Sequence, residues 1–242
     1  MSLVAIVTGA AGGIGAPLCR ALAEDGYQVV VADFAAGTGT ALAEEINRSG
    51  GKAVFQQLDV RDKAGAERLA ADTLKSFGRI DVLINAAGVI SRMPVLEMPE
   101  EEWDRVLGIN LKGTFLCSQA VARHMAERRS GRIICLASGR GIAGQRRAAH
   151  YAASKGGVIA FVKSLALELA PQNVAVNAIA PGATDTAMSR SGSTEEEWKK
   201  RTAVPPMVGG LTEKDEIVGL VRYLLSDSAK YITGQTYLLR TP

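Results

Sequence analysis

Short apolar, β-branched runs alternate with longer helical patterns along the whole chain, and this alternation constrains the fold more than any other feature. Leu3–Thr8, Gln28–Asp33, Ala53–Leu58, Asp81–Asn85, Arg132–Ala137 and Val174–Ala180 read as strands. They are nearly continuous in apolar residues, as strands covered on both faces must be. Gly13–Asp25, Thr38–Ser49, Lys63–Phe77, Glu100–Arg128 and Tyr151–Ala170 read as the helices between them. Glu213–Leu225 precedes a last strand near Gln235–Leu239. Parallel strands need a crossover, usually a helix, so the pattern predicts an α/β fold with a doubly wound parallel sheet. No linker or repeat divides the 242 residues, and residues 1–242 are expected to form one domain. The one long irregular stretch, Pro181 to about Leu211, is expected to act as a lid over a site, within about residues 182–211.

Aromatic residues are only 5% of the chain, so Ala, Val, Leu and Ile must fill its core. The net charge of +3 comes from Lys and Arg scattered among acids, not from a basic stripe, so no nucleic-acid partner is expected. No apolar run approaches the roughly 20 residues that span a bilayer, and no basic stretch opens the chain. A cytoplasmic protein without a membrane partner is therefore expected. Cys19, Cys117 and Cys135 lie far apart and fit free thiols in a reducing compartment. With His124 and His150 as the only histidines, no metal site is expected.

The first strand runs into Thr8-Gly9-Ala10-Ala11-Gly12-Gly13-Ile14-Gly15, which opens a helix. Glycines let backbone N–H groups approach a pyrophosphate, and the helix start adds a partial positive charge of about half a unit. The strict G-x-G-x-x-G spacing is absent, and a tight strand–helix turn alone would also need glycines. Pro17 fits the first helical turn, where its missing N–H has no intrahelical partner. Asp33 closes the second strand, about 20 residues on, where a carboxylate can accept ribose hydroxyls. It would repel a 2′-phosphate, and Phe34 rather than a cation follows it, so NAD is expected over NADP. The alternative for Asp33 is a turn or helix cap.

Further motifs along the chain make it resemble the classical short-chain dehydrogenase/reductase family, over nearly its whole length. Thr8-Gly9-x-x-x-Gly13-x-Gly15 is similar to that family's cofactor turn, and Asn85-Ala86-Ala87-Gly88 to its Asn-Asn-Ala-Gly motif, with Ala86 for the second Asn. Ser138, Tyr151 and Lys155 match its catalytic set, and Asn110 its active-site Asn. The resemblance implies a single Rossmann-type domain binding NAD through Gly9, Gly12, Gly13, Ile14, Gly15, Asp33, Phe34, Asp59, Val60, Asn85, Ala86, Ala87, Gly88, Tyr151 and Lys155. Pro181, Gly182, Thr184 and Thr186 would hold the nicotinamide amide, and Asp59 the adenine amino group. It also implies that Lys155 bonds the nicotinamide ribose, that Asn110 anchors a water in a proton relay, and that the protein is a homotetramer or homodimer.

The chemistry stands on the residues as well. Hydride delivery to a ketone leaves an alkoxide needing a proton, which a tyrosine can give. Tyr151 and Lys155 are i and i+4 and share a helix face. Moving a phenol from about 10 to about 7 takes roughly 4 kcal/mol of phenolate stabilisation, and Lys155 is one expected source. Ser138, at the carboxyl end of the fifth strand, sits where open α/β sheets bind ligands and can hold the substrate oxygen.

An alcohol or carbonyl substrate is expected, with specificity from the segments near Tyr151 and the lid. Arg140, Arg146 and Arg147 form an anion site, a solvated loop, or salt bridges across a subunit contact. His150 is expected to line or abut the pocket, and Met188, Trp198 and Met207 to form an apolar lid unless Trp198 is a packing anchor. Arg128 and Arg129 stand where acyl-carrier-protein reductases of the family carry a docking arginine, but Pro171-Gln172-Asn173 lacks the second one. The leading expectation is an NAD-dependent alcohol dehydrogenase or ketone reductase. The alternatives are a 3-oxoacyl-(acyl-carrier-protein) reductase, expected to prefer NADPH, and a non-catalytic NAD-sensing regulator.

Overall fold

A computed structural model describes residues 2–191, 194–203 and 211–239, apart from the side chain of Arg201. The chain runs β1 (Val4–Thr8), α1 (Gly15–Glu24), β2 (Gln28–Asp33), α2 (Ala36–Arg48), β3 (Lys52–Gln57), α3 (Lys63–Phe77) and β4 (Val82–Asn85). It continues through α4 (Glu100–Leu107), a π-helical turn (Gly108–Lys112), α5 (Gly113–Arg128), β5 (Gly131–Leu136), α6 (Arg140–Ala143) and α7 (Ala149–Leu169). Then follow β6 (Val174–Pro181), α8 (Ala187–Arg190), α9 (Glu195–Thr202), α10 (Lys214–Leu225) and β7 (Thr236–Leu239).

The strands form one parallel sheet in the order β3-β2-β1-β4-β5-β6-β7. The chain winds outward from β1 to β3, then returns to place β4 on the other side of β1. This reversal opens a crevice at the carboxyl ends of β1 and β4, where open α/β sheets take ligands. Thr8 pairs with Asn85 there, and the Ala86 N–H donates to the Thr8 carbonyl at 3.1 Å. The two faces of the sheet carry separate cores. On one, Leu69, Leu116, Val121, Met125, Val158 and Val162 pack on strand residues such as Leu83 and Ile133. On the other, Leu18, Leu22, Leu42, Ile46, Ile217 and Val221 cover Val29, Val31 and Ile84.

Two expectations are corrected. Glu100–Arg128 is not one regular helix, because the π-helical turn interrupts it at Asn110. The stretch after Pro181 is not irregular throughout, since it holds α8 and α9. Each opens with a reciprocal cap: Thr186 with Ser189, and Thr194 with Glu197.

Gly9 presses against the β4 loop across the crevice. Its φ is +62°, and a Cβ there would lie 2.5 Å from the Ala87 Cα. Both the left-handed backbone and the loop contact exclude a side chain. Gly9→Ala is expected to cost about 2 kcal/mol of stability, measured by urea unfolding. An unchanged midpoint would show that the two loops can part freely.

Candidate active site

The glycine turn after β1 suits a pyrophosphate. No side chain caps α1, and the partial positive charge of its start lies at the glycine turn. Gly12 and Gly13 are exposed, and a Cβ on Gly13 would lie 2.7 Å from the Thr186 methyl. The turn and the segment before α8 therefore meet face to face, with Ile14 half-buried and Gly15 buried behind them. A cavity of about 550 Å³ runs from Gly13 along Thr184–Ala187 to Thr212–Lys214.

Asp33 reaches back to the turn. Its carboxylate accepts from the Ala11 N–H at 2.9 Å and the Ala35 N–H at 2.9 Å. It is thus a turn tie, and the remaining lone pairs of its oxygens stay open to a ribose. Phe34 beside it is 67% exposed. Asp59 is less free than expected: Arg61 grips both its oxygens, at 2.7–3.2 Å, and holds its carboxyl below the usual range. Val60 is buried against Gly113.

The Asn85 amide is a structural tie, since its Nδ2 donates to Ser118 at 3.0 Å and to Cys135 at 3.5 Å within the buried sheet. Ala86, Ala87 and Gly88 are half-buried at the crevice. Beyond them the chain is clamped by Asn110, whose Oδ1 accepts from the Val89 N–H at 2.8 Å. Its Nδ2 donates to the Val89 carbonyl at 3.0 Å and to Ser154 Oγ at 3.0 Å. The π turn is what aims this side chain sideways out of the α4–α5 path, a common use of such turns at functional sites. With these bonds made, the Asn110 side chain positions the loop and α7; its backbone carbonyl accepts from Thr114.

Ser138, Tyr151 and Lys155 converge at the end of β5. The Ser138 hydroxyl stands next to the Tyr151 phenol and eases its ionisation, and the Lys155 ammonium lies 5.9 Å from the phenol ring centre. Lys155 is only 5% exposed and donates to the Leu136 carbonyl at 2.6 Å. Burial drives it down from its ordinary value to about 8. Burial also pushes the Tyr151 phenol up, opposed by the Ser138 hydrogen bond and by the charges of Arg140 and Arg92. The charges of Arg140 and Arg92 thus act on Tyr151 alongside the Lys155 ammonium near its ring. A Cβ on Gly88 would sit 3.5 Å from Lys155 Nζ, so this glycine keeps the space beside the ammonium open.

The family model described as short chain dehydrogenase matches residues 3–197. The chain belongs to the short chain dehydrogenase family. It is 41% identical over 236 residues to a Synechocystis 3-oxoacyl-[acyl-carrier-protein] reductase, covering 97% of this chain and 94% of that one. It is 39% identical over 238 residues to the Staphylococcus aureus 3-oxoacyl-[acyl-carrier-protein] reductase FabG, with 98% and 96% covered. The short-chain reductase protein NovJ of Streptomyces niveus is 39% identical over 240 residues, with 96% and 90% covered. The crystal structure of gox2181 superposes with a TM-score of 0.94 at 33% identity, covering 98% of this chain and 94% of that one. As a member of this dehydrogenase family, the protein is an oxidoreductase with a Rossmann-type fold, and the family uses a nicotinamide cofactor.

Other expectations fare unevenly. Pro181 is buried and Gly182 half-buried, and the Gly182 N–H donates to Leu239 at 2.8 Å. Thr184 and Thr186 hold Ser189 and so shape the lid turn. Met188 is exposed on α8. Trp198 is 4% exposed under the Arg190 guanidinium, 4.9 Å away, and is a packing anchor, not a lid face. Met207 and Arg240–Pro242 lie outside the described residues.

His150 lies beneath the surface next to Tyr151. It is fully buried, with Nε2 2.8 Å from Ser91 Oγ. Ser91 also donates to Glu102, whose carboxyl the Arg105 guanidinium holds down at about 2. Arg146 and Arg147 are exposed, leaving Arg140 as the half-buried one of the three. Arg128 donates to the Ile80 carbonyl and to Asp81, and Arg129 to the Pro171 carbonyl, so both are drawn onto the protein's own surface.

Sequence reasoning passed over Ser91, Arg92, Glu102 and Ser154. The β4–α4 stretch has no periodicity, and nothing in it signals which way the loop turns.

The three thiols are buried and pushed up, Cys19 and Cys117 to about 12 and Cys135 to about 11. Among the described residues, no group of three or more His, Cys, Asp or Glu could hold a metal, and no helix is long and apolar enough to cross a membrane.

Proposed function

We propose that this protein interconverts a ketone and a secondary alcohol using NAD(H). The observation that carries the reading is the Tyr151 phenol beside the Ser138 hydroxyl, with Lys155 one helical turn away, near the crevice at the switch point. Bound nicotinamide supplies or accepts the hydride at the carbonyl carbon. Ser138 holds the substrate oxygen, and Tyr151 gives that oxygen its proton in reduction and removes it in oxidation. Lys155, dry and close to the crevice, is placed to bond a ribose hydroxyl and to hold the phenol in register. Asn110, through Val89 and Ser154, fixes the two walls between which the substrate enters.

NAD is favoured over NADP by Asp33, a carboxylate at the ribose end, and by Phe34 in place of a cation. Asp33→Ala should lower the NADH-over-NADPH ratio of kcat/KM about 100-fold, or about 3 kcal/mol. A ratio unchanged in this variant assigns the choice to another group. The variant should also lose about 1 kcal/mol of stability with the two backbone bonds that Asp33 accepts.

The comparisons favour a particular ketone. Relatives at 39–41% identity are named 3-oxoacyl-[acyl-carrier-protein] reductases, and a 3-oxoacyl thioester is itself a ketone. Against carrier docking stands the inward engagement of Arg128 and Arg129. Titrating NADH and NADPH with an acetoacetyl thioester, against neutral ketones, separates this reading from a general ketone reductase. Absence of turnover with every carbonyl tested would leave the regulator. We also propose a homodimer or homotetramer assembled through α5 and α7. Leu167 is 80% exposed, and Phe115 is exposed in edge contact with Phe161.

A further inference from the structure

We propose that Arg92 and Arg140 form an anion site beside Tyr151 that selects an oxo acid, a substrate carrying a free carboxylate as well as its ketone. The proposal rests on the ketone–alcohol reading above and names the substrate class of that site.

Arg92 is pinned on both sides. Ser91 before it is held by buried His150 and by Glu102, and the Met93 N–H after it donates to the Arg147 carbonyl at 2.7 Å. Its guanidinium reaches the lid, donating to the carbonyls of Ser191 at 2.5 Å and Ser189 at 3.2 Å. Arg140 is fixed from the other wall. Its backbone N–H donates to Ser138 Oγ at 3.2 Å. The next residue, Gly141, presses α6 onto α7 so closely that a Cβ would lie 2.6 Å from the Lys155 carbonyl carbon. Two guanidinium-bearing residues are thus tied to the substrate-binding serine, the lid and the residue preceding the phenol.

Both are half-buried, yet among the described residues neither makes an ion pair with a carboxylate. Arg61, Arg79, Arg105, Arg128 and Arg190 all do. Glu197 reaches Arg92 only through its charge, and its carboxylate is committed to capping α9. A half-buried guanidinium bonded to neutral carbonyls keeps a charge that a carboxylate can neutralise, with donors left over for it. Burial lowers the Arg92 guanidinium's hold on its proton, and the charges of Arg92 and Arg140 both act on Tyr151, so the three groups lie near one another.

The test compares acetoacetate with its methyl ester, using NADH. The wild type is expected to prefer the acid by at least 10-fold in kcat/KM. Arg92→Gln and Arg140→Gln should each reduce that preference 10-fold or more, whereas Arg146→Gln, on the exposed loop, should leave it within twofold. A wild-type preference for the ester, or a ratio unmoved in both variants, overturns the proposal. Thermal unfolding with NAD⁺ and malonate, at matched ionic strength, separates anion binding from turnover. Malonate should raise Tm in the wild type and not in the two variants. No rise in the wild type overturns the site, even if ketones are reduced. A rise with neither carbonyl compound reduced supports the site and sinks the ketone reading.

Discussion

Tyr151→Phe is expected to lower kcat by about 10³-fold or more while leaving the affinity for NADH within about twofold. The substitution removes one oxygen and no packing volume of note. The ring stays on α7 against Lys155, and the crevice keeps its shape. What disappears is the proton at the substrate oxygen. Burial holds this phenol above its ordinary value, so it is protonated at neutral pH and ready to donate in the direction of reduction. Oxidation needs the opposite form. Its rate should therefore rise with pH as the phenolate becomes available, with Ser138, Arg140 and Arg92 moving that limb toward lower pH. Two measurements check this: NADH binding by fluorescence, and the pH profile of kcat/KM for alcohol oxidation. A variant that keeps the rising limb and near-normal turnover removes Tyr151 from proton transfer.

The sequence made the sheet legible because parallel strands buried on both faces leave continuous apolar runs. Gln28–Asp33 and Lys63–Phe77 are found at their expected bounds, and the other central elements lie within two residues or so of theirs. Convergence of Ser138, Tyr151 and Lys155 was legible because a strand end and one helix face fix it. Three things were not. The π turn at Asn110 adds one residue to a helical turn and leaves no mark in a hydrophobic pattern. Helix α9 was marked, since Thr194 and Glu197 have capping-box spacing, but without apolar periodicity the signal was outweighed by the surrounding polar residues. The role of His150 depended on Ser91, 59 positions earlier, in a loop whose direction only tertiary packing decides.

Lys155→Met should give a protein that is more stable at neutral pH and nearly inactive. The ammonium is 5% exposed, with burial holding it at about 8 against an ordinary 10.5. Between those values the unfolded chain binds a proton that the folded chain does not, so wild-type stability rises with pH across this window. Below about pH 8 the folded protein carries the whole penalty, roughly 3 kcal/mol. Methionine removes that penalty and loses the bond to the Leu136 carbonyl, which is worth about 1 kcal/mol. The net gain of about 2 kcal/mol at pH 7 should raise Tm by about 4–8 °C. It should shrink as pH climbs from 8 and change sign near about pH 10, leaving only the missing hydrogen bond at higher pH. Turnover should fall about 100-fold or more, with weaker NADH binding, because the donor placed for ribose and phenol is gone. A lower Tm at pH 7 than the wild type would mean that the ammonium is hydrated or paired in solution. Retained turnover would mean that Arg92 and Arg140 alone suffice to hold Tyr151 in register. The opposite signs expected for stability and activity distinguish a buried charge kept for chemistry from one kept for the fold.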